Sequence, residues 1–195
     1  MPRDNNRRQH LMRAAVSVFS RYSYHEAGIR EIAEETNCAV GTFYLYFSSK
    51  ADVFVALIDS LYSKVMEGVM VGRSEAAGAE DKLAGSLDAV VGVLLHERDL
   101  ARVVLVKTLG SDPMLENHLW HIHQTFADLL AAELRECGLS LEHARVGAWA
   151  FVGALAEIFI LWAREPDLNL ENMAQGVRSL FWQGWGLRAG TRQDA

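Results

Sequence analysis

Proline occurs at only three positions of this 195-residue chain, Pro2, Pro113 and Pro166. The long segments between them contain few clusters of β-branched residues and no run in which apolar and polar residues alternate. Because proline interrupts helices and alternation is typical of half-buried strands, this pattern favours helices along the whole chain. Half of the residues are hydrophobic, which is enough for a sizeable core. The sequence therefore predicts an all-α protein.

Two cysteines and a polar N-terminus indicate the cellular compartment of the protein. Cys38 and Cys137 suit a reducing environment better than a disulfide-stabilised scaffold. The first nine residues, MPRDNNRRQ, are polar, and no apolar signal region follows them. We therefore expect a cytoplasmic protein that is not exported.

The most apolar segment, residues 146–163, contains a single charged residue, Glu157. Its length approaches that of a membrane span, which is the alternative interpretation. A carboxylate inside the segment and the lack of a flanking basic cluster favour a helix that packs between protein helices. We expect no membrane partner.

Positive charge is concentrated at the N-terminal end. Residues 1–50 contain seven Lys and Arg and five acidic residues, a local charge of +2 in a chain whose net charge is −6. The rest of the chain is therefore strongly acidic. DNA would attract the basic N-terminal segment and repel the acidic remainder of the chain.

The first fifty residues predict one longer helix and two short ones. The longer helix has apolar residues at one-sided helical spacing: Leu11, Ala14, Ala15, Val18 and Phe19. A second helix opens at Gly28 and stops at Asn37, a residue type that tolerates the left-handed conformation of helix ends. The third covers about residues 39–47, and Ser49 with Asp52 caps a fourth. Two short helices joined by a tight turn behind a longer one predict a helix-turn-helix.

The third helix, within VGTFYLYFSSK, predicts a DNA-facing surface. At about 100° per residue, Phe43 and Phe47 point inward together. The residues on or beside the outward side are Gly41, Thr42, Tyr44, Leu45 and Tyr46. Tyrosine hydroxyls can donate to phosphate oxygens, and threonine can contact a base edge or a thymine methyl. Lys50 lies in the first turn of the next helix, where backbone N–H groups attract phosphate.

The segment GIREIAEETNCAVGTFYLYFSSKADVF resembles the helix-turn-helix of the TetR family of bacterial transcriptional repressors. The resemblance covers about residues 8–55. It implies DNA contacts by Arg30, by Thr42, Tyr44 and Tyr46 of the recognition helix, and a phosphate clamp by Lys50. Two departures affect base preference: Ala39-Val40 stands where family members often have Ser-Lys, and Leu45 replaces a residue that is often aromatic or His.

Two domains follow from this interpretation: a helix-turn-helix domain over residues 1–50 and a helical ligand-binding and dimerisation domain over residues 51–195. In the second, helix starts are predicted at Asp112–Pro113, Ser140 and Asn169. The resemblance implies that the last two helices, 140–164 and 169–187, form a four-helix dimer interface. The side chains expected at that interface are Phe151, Leu155, Phe159, Trp162, Val177 and Phe181. The alternative is that helix 140–164 is a core helix of a single chain.

The resemblance also implies a small apolar or amphipathic effector inside the body, and the composition of residues 54–126 permits one. The side chains expected to bind it are Leu57, Leu61, Met66, Lys107, His121, His123 and Phe126. For Lys107 a solvated position at a helix end is the alternative. Long-chain acyl thioesters, aromatic acids and hydrophobic drugs all fit this description.

Three histidines, His118, His121 and His123, raise the possibility of a metal site. Apart from Glu116, no Cys or carboxylate at ligand spacing completes such a set, so core packing or pocket lining is favoured. We expect no metal and no cofactor.

These observations predict a homodimeric repressor that binds a palindromic operator and is released by a hydrophobic small molecule. No Gly-rich phosphate loop, nucleophile elbow or zinc motif is present in the sequence, so we expect no enzyme activity. Two alternatives stay open. One is a DNA-binding regulator that responds to no effector. The other is a helical-bundle enzyme with a site around His118, His121, Glu157 or Lys107.

Overall fold

The computed structural model describes residues 5–74, 76–108, 112–165 and 167–186. Within these ranges the chain forms nine α-helices and no strand, which confirms the all-α prediction. The helices are α1 (Asn5–Arg21), α2 (Ile29–Glu35), α3 (Val40–Tyr44), α4 (Lys50–Ser74), α5 (Ala79–His96), α6 (Arg98–Lys107), α7 (Pro113–Glu136), α8 (Leu141–Arg164) and α9 (Leu170–Trp185).

Side-chain caps place the starts of α4, α7, α8 and α9 where the sequence predicts them. In each case an oxygen of the capping residue accepts a backbone N–H of the first helical turn, at 2.8 to 3.2 Å. The capping residues are Ser49, Asp112, Ser140 and Asn169. Such caps satisfy N–H groups that have no partner inside the helix.

The helix-turn-helix differs from the prediction at the end of α3. Asn37 has φ of 50°, so the predicted left-handed residue after α2 is confirmed. Helix α3 ends at Tyr44 rather than near Phe47. The N–H groups of Tyr46 and Phe47 both donate to the Phe43 carbonyl, at 2.9 and 3.0 Å, so the chain tightens into a turn there.

One compact unit, which we call unit one, comprises residues 1–62 and 97–119. Helix α1 packs against α2 and α6, and α2 packs against α3. Aromatic rings fill this core: Phe19 and Phe54 meet edge to face with centroids 4.9 Å apart. Unit one thus groups α6 and the start of α7 with the helix-turn-helix. The boundary after residue 50 stays a prediction.

Unit two comprises residues 63–96 and 120–195. Helix α9 packs against α8 and α5. Helices α4 and α5 approach closely at Gly72 and Gly85: a side chain at Gly72 would bring its Cβ to 3.0 Å from the Gly85 carbonyl oxygen. An ion pair between Arg73 and the buried carboxylate of Glu133 joins α4 to α7.

Helix α8 is the most apolar element. Of the helices in the described residues, it alone is long and apolar enough to cross a membrane, with a mean hydropathy of 1.9 over its most apolar window. Core helices of soluble proteins can be equally long and apolar. A third of that window is buried, so much of this apolar helix lies uncovered by its own chain.

Candidate nucleic-acid interface

Two buried rings fix the rotation of α3. Phe43 and Phe47 are both buried, and their ring centroids lie 5.6 Å apart. They are the two rings that the sequence places on the inner side. Since α3 is so short, anchoring these two side chains determines which residues it presents to solvent.

The opposite side of α3 is an exposed surface of mixed chemistry. Tyr44 is 54% exposed and Leu45 is 65% exposed, while Thr42 and Tyr46 are half-buried. Gly41 is also exposed, and a Cβ added there would meet no atom within 4 Å. The fold therefore has room for a side chain at Gly41, so packing does not require a glycine there. A glycine at this exposed position would let another molecule approach the backbone closely.

Arg30 stands on the first turn of α2, and its side chain is largely exposed. Its Nε donates to Glu34 at 2.8 Å, one turn further along the helix. The hydrogen bond that Arg30 donates to Glu34 raises the pKa of Arg30, so the guanidinium stays charged. An exposed ion pair of this kind contributes little to stability, so Arg30 is free to exchange its partner for a phosphate.

Lys50 has a different position from the exposed clamp suggested by the sequence. Its Nζ donates to the carbonyl oxygens of Tyr24 at 2.6 Å, Ala27 at 3.0 Å and His25 at 3.3 Å. Burial lowers the pKa of this ammonium group. The carbonyls belong to the turn between α1 and α2, a contact that the helix-turn-helix pattern does not reveal.

Arg8 is a cation that sequence analysis did not single out. Its guanidinium lies over the ring of Phe47, 5.0 Å from the centroid, and Nη1 lies 3.3 Å from the sulfur of Met12. Within the described residues, no carboxylate pairs with it. It is exposed, and it flanks the turn that follows α3. No spacing in the sequence predicts this pairing, because Arg8 lies on α1 and Phe47 lies in the turn after α3.

A polar cluster holds α2 against α1. Ser17 Oγ donates to the Glu35 carboxylate at 2.8 Å, and Arg21 forms an ion pair with the same group. These hydrogen bonds lower the pKa of Glu35, the bond from Ser17 contributing most. The cluster orients α2, and through it α3, relative to α1.

The surface on α2 and α3 is that of a helix-turn-helix DNA-binding domain. The family model for bacterial regulatory proteins of the tetR family matches residues 11–57, which run from α1 into α4. The helix-turn-helix is that of the TetR family. The chain is a DNA-binding transcription regulator rather than an enzyme, in keeping with a relative that matches it along most of its length.

Similarity to known transcription regulators extends along most of the chain. The fatty acid metabolism regulator protein of Bacillus subtilis (strain 168) is 26% identical over 180 residues, which cover 89% of this chain and 93% of that protein. The fatty acid degradation regulator FadR from Bacillus halodurans has the same fold, with a TM-score of 0.83 at 23% identity over 95% of this chain and 100% of that one. FadR from Bacillus subtilis in complex with stearoyl-CoA gives a TM-score of 0.76 at 24% identity, and the match covers 90% of this chain and 98% of that one.

The side chains expected to bind an effector divide between the two units. Leu57 and Leu61 are fully buried in the core of unit one, and half-buried Lys107 also belongs to that unit. The others belong to unit two: Met66, His121, His123 and Phe126. Burial lowers the pKa of His123, whereas His121 is exposed.

The histidines do not form a metal centre in the part of the chain that the structure describes. His118 belongs to unit one, and its Nε2 lies 2.7 Å from Oδ1 of Asp59 on α4. No group of three or more His, Cys, Asp or Glu in the described residues is placed to hold a metal ion.

A groove of about 600 Å³ runs along the second half of α4 in unit two. Its apolar lining residues are Met66, Met70 and Val71, and its polar ones are Ser63, Glu67 and Ser74. Met66 is the one residue of the expected effector site that lines this groove. Flexible methionine side chains adapt well to apolar ligands of varied shape.

The six side chains expected at the dimer interface belong mainly to the core of the single chain. Phe151, Leu155, Phe159, Trp162 and Val177 are buried, and Phe181 is half-buried against Phe151 with ring centroids 5.2 Å apart. The assignment of these six residues to the interface stays a prediction. The apolar surface of α8 is wide, and the large residues occupy the side that packs on its own chain. Leu187, the last residue of the expected seam, lies outside the described residues.

A different face of the same two helices is uncovered. Val146 on α8 is 65% exposed and Leu180 on α9 is 72% exposed, and Leu161 is exposed as well. A groove of about 790 Å³ runs past Val146 and Trp149, whose ring stacks on Trp120 of α7 with centroids 4.6 Å apart. Large apolar side chains are therefore exposed on both α8 and α9.

Proposed function

We propose that this regulator represses transcription in the cytoplasm by binding a palindromic operator as a homodimer, and that a long-chain acyl thioester releases it. The observation that carries the DNA-binding part is the outward surface of α3, held in place by the buried Phe43 and Phe47. Tyr44 and Leu45 are more than half exposed there, although the Tyr44 ring meets Phe43 edge to face, so both side chains are available to a partner outside the chain.

The chemistry of the surface suits a major groove. Leu45 and the methyl group of Thr42 fit against thymine methyl groups, and the Tyr44 hydroxyl can donate to a phosphate oxygen. Gly41 allows the DNA backbone to approach α3 closely. Arg30 and Arg8 add positive charge on either side, which accounts for binding by a chain whose net charge is −6.

The uncovered face of α8 and α9 supports a homodimer. A stable interface has an apolar centre, and Val146, Leu161 and Leu180 supply one on adjacent helices. In a two-fold dimer the same patch serves both copies, and the two recognition helices enter successive major grooves roughly 34–36 Å apart. A palindromic operator follows from that symmetry.

Two observations favour an acyl thioester over the other effector classes. The first is the likeness to a fatty acid metabolism regulator and to a fold relative that holds stearoyl-CoA. The second is the methionine-lined groove on α4, which offers an adaptable apolar surface to an acyl chain. An acyl chain would lie against Met66 and Met70, with its polar head toward solvent.

Release would work through α4, because that helix runs from the groove to Lys50 without interruption. A ligand that fits only one position of α4 shifts the equilibrium between DNA-binding and free conformations. Changing the bound population from nearly all to nearly none requires about 5.5 kcal/mol of differential affinity.

The test uses a fluorescent duplex selected from a random library by the protein itself. The dissociation constant of the complex is measured by anisotropy with added stearoyl-CoA, octanoyl-CoA, free CoA or stearate, and the Tm of the protein is measured with each. We expect stearoyl-CoA alone to raise both the dissociation constant and the Tm; stearate controls for detergent action. If all four leave DNA affinity unchanged, a long-chain acyl thioester is not the effector, and an effector-independent regulator becomes the better interpretation.

A further inference from the structure

The turn between α1 and α2 presents three backbone carbonyls to one point. Tyr24, His25 and Ala27 lie in a compact turn that is closed by the N–H of Ala27, which donates to the Ser23 carbonyl at 3.0 Å. The Glu26 carboxylate accepts from the backbone N–H and the hydroxyl of Ser23, at 3.1 and 2.7 Å. The turn is thus rigid before any other helix reaches it.

Lys50 occupies the point where these carbonyls converge. An ammonium group has three N–H donors, and three carbonyl oxygens lie within 3.3 Å of Nζ. The same nitrogen lies 4.6 Å from the centroid of the Tyr24 ring, a favourable cation–π distance. That ring is buried and meets Phe54 of α4 edge to face.

We propose that Lys50 is a positioning residue for DNA binding, which fastens the start of α4 to the turn before α2, and that its ammonium does not contact DNA phosphate. The inference rests on DNA binding by the helix-turn-helix. It reassigns a charge that, by its sequence position, was expected to act as a phosphate clamp.

The hydrogen-bonding partners of Lys50 decide between the two roles. Contact with a phosphate would require the ammonium to leave carbonyl groups that have no other donor in its place, and unsatisfied polar groups away from water are costly. Hydrogen bonds with a charged donor are also stronger than neutral ones. Arg8 and Arg30 are exposed on the same unit, and within the described residues neither guanidinium is held by a set of backbone carbonyls.

The positioning role has a consequence for regulation. Lys50 is the first residue of α4, and the turn that it holds leads directly into α2. A displacement of the start of α4 therefore pulls on the turn that sets the position of α2. In this way a change in α4 reaches the recognition helix through one side chain.

The test compares Lys50→Met and Lys50→Arg with the parent, and Lys82→Met of unit two is the matched control. Hydrogen exchange is measured without DNA, and DNA affinity is measured over a range of sodium chloride concentrations. A positioning role predicts faster exchange confined to about residues 22–35, a Tm lowered by about 4–8 °C, and weaker DNA binding with an unchanged salt slope. Lys50→Arg should behave like Lys50→Met, because a planar guanidinium cannot direct its N–H groups at three converging carbonyls.

A phosphate contact predicts the opposite set of results. Each lost contact would reduce the salt slope by about 0.9, Lys50→Arg would retain most of the affinity, and local exchange would not change. A reduced slope, with or without faster exchange, overturns the inference, as does a Lys50→Met variant that equals the parent in every measurement. If Lys50→Met fails to fold, the ¹⁵N shift of the Lys50 ammonium in the parent decides: a positioning role predicts that DNA leaves it unchanged, and a phosphate contact moves it. Absence of DNA binding by the parent would instead contradict the proposed function.

Discussion

Phe43 and Phe47 lie together in the core of unit one with ring centroids 5.6 Å apart, and Tyr44 between them in sequence faces solvent. Burial gives the phenylalanines a packing role, and we expect the exposed tyrosine to act in DNA recognition. This separation can be tested by removing one ring of each kind.

Replacing Phe43 and Tyr44 separately should affect different properties. Phe43→Ala removes a fully buried ring and should lower the free energy of unfolding by about 3–5 kcal/mol. Tyr44→Ala should change stability by less than about 0.5 kcal/mol and weaken DNA binding. Urea denaturation and anisotropy measure the two effects. Equal DNA affinity of Tyr44→Ala and the parent would remove Tyr44 from the interface.

Arg8 should be a phosphate contact, because its guanidinium is exposed beside the turn that follows α3. Arg8→Gln should weaken binding to all duplexes alike and reduce the salt slope by about 0.9 for each protomer. Arg135→Gln, on α7 in unit two, removes the same charge away from the interface and should leave the slope as it is. A slope that Arg8→Gln does not change would place Arg8 off the DNA.

A charge on the uncovered face of α8 and α9 should separate the subunits without unfolding them. Leu180→Glu is expected to give a folded monomer with greatly reduced operator affinity, measured by light scattering and anisotropy. Val71→Glu, at an exposed position on α4, is the control and should remain dimeric.

Phe159→Glu provides the contrast, because Phe159 is buried within its own chain. It should lower the Tm strongly rather than yield a folded monomer. A dimeric Leu180→Glu variant would show that the dimer, if there is one, uses another surface.

Glu133 should make stability depend on pH. Its carboxyl group is 2% exposed, and burial raises its pKa above the ordinary 4.5, although Arg73 opposes the shift. A carboxyl whose pKa is higher in the folded state stabilises the fold below its unfolded pKa, and this contribution is lost as the pH rises through the folded pKa.

Glu133→Gln cannot ionise, so the Tm of the parent relative to this variant should fall as the pH is raised from about 4.5 to neutrality. The fall should be about 3–5 °C for each unit by which the pKa is raised. Glu136→Gln, at a largely exposed position, is the control. A difference that stays constant or grows with pH would contradict a raised pKa.

Local signals in the sequence were sufficient for the helices. The starts of α4, α7, α8 and α9 follow from single capping residues, and the rotation of α3 follows from the spacing of Phe43 and Phe47. These features depend on neighbours within one or two helical turns, and such neighbours are also close in the sequence.

Contacts between distant segments could not be predicted in the same way. The acceptors of Lys50 lie 23 to 26 residues earlier, on a turn whose carbonyls carry no side-chain signal. The apolar surface of α8 is a second case, because hydrophobicity does not distinguish a core within the chain from an interface between chains. Phe159 and Leu161 are neighbours with similar chemistry, yet one is buried and the other exposed.

The most direct test of the central claim is a ratio of two dissociation constants for the parent protein at about 0.15 M salt. One duplex carries the half-sites selected by the protein, and the other has the same composition with both half-sites scrambled. Recognition through the outward face of α3 predicts binding at least about 10³-fold tighter to the selected duplex. Equal dissociation constants that rise together with salt would mean that the protein is attracted to DNA by charge alone and would contradict sequence-specific regulation.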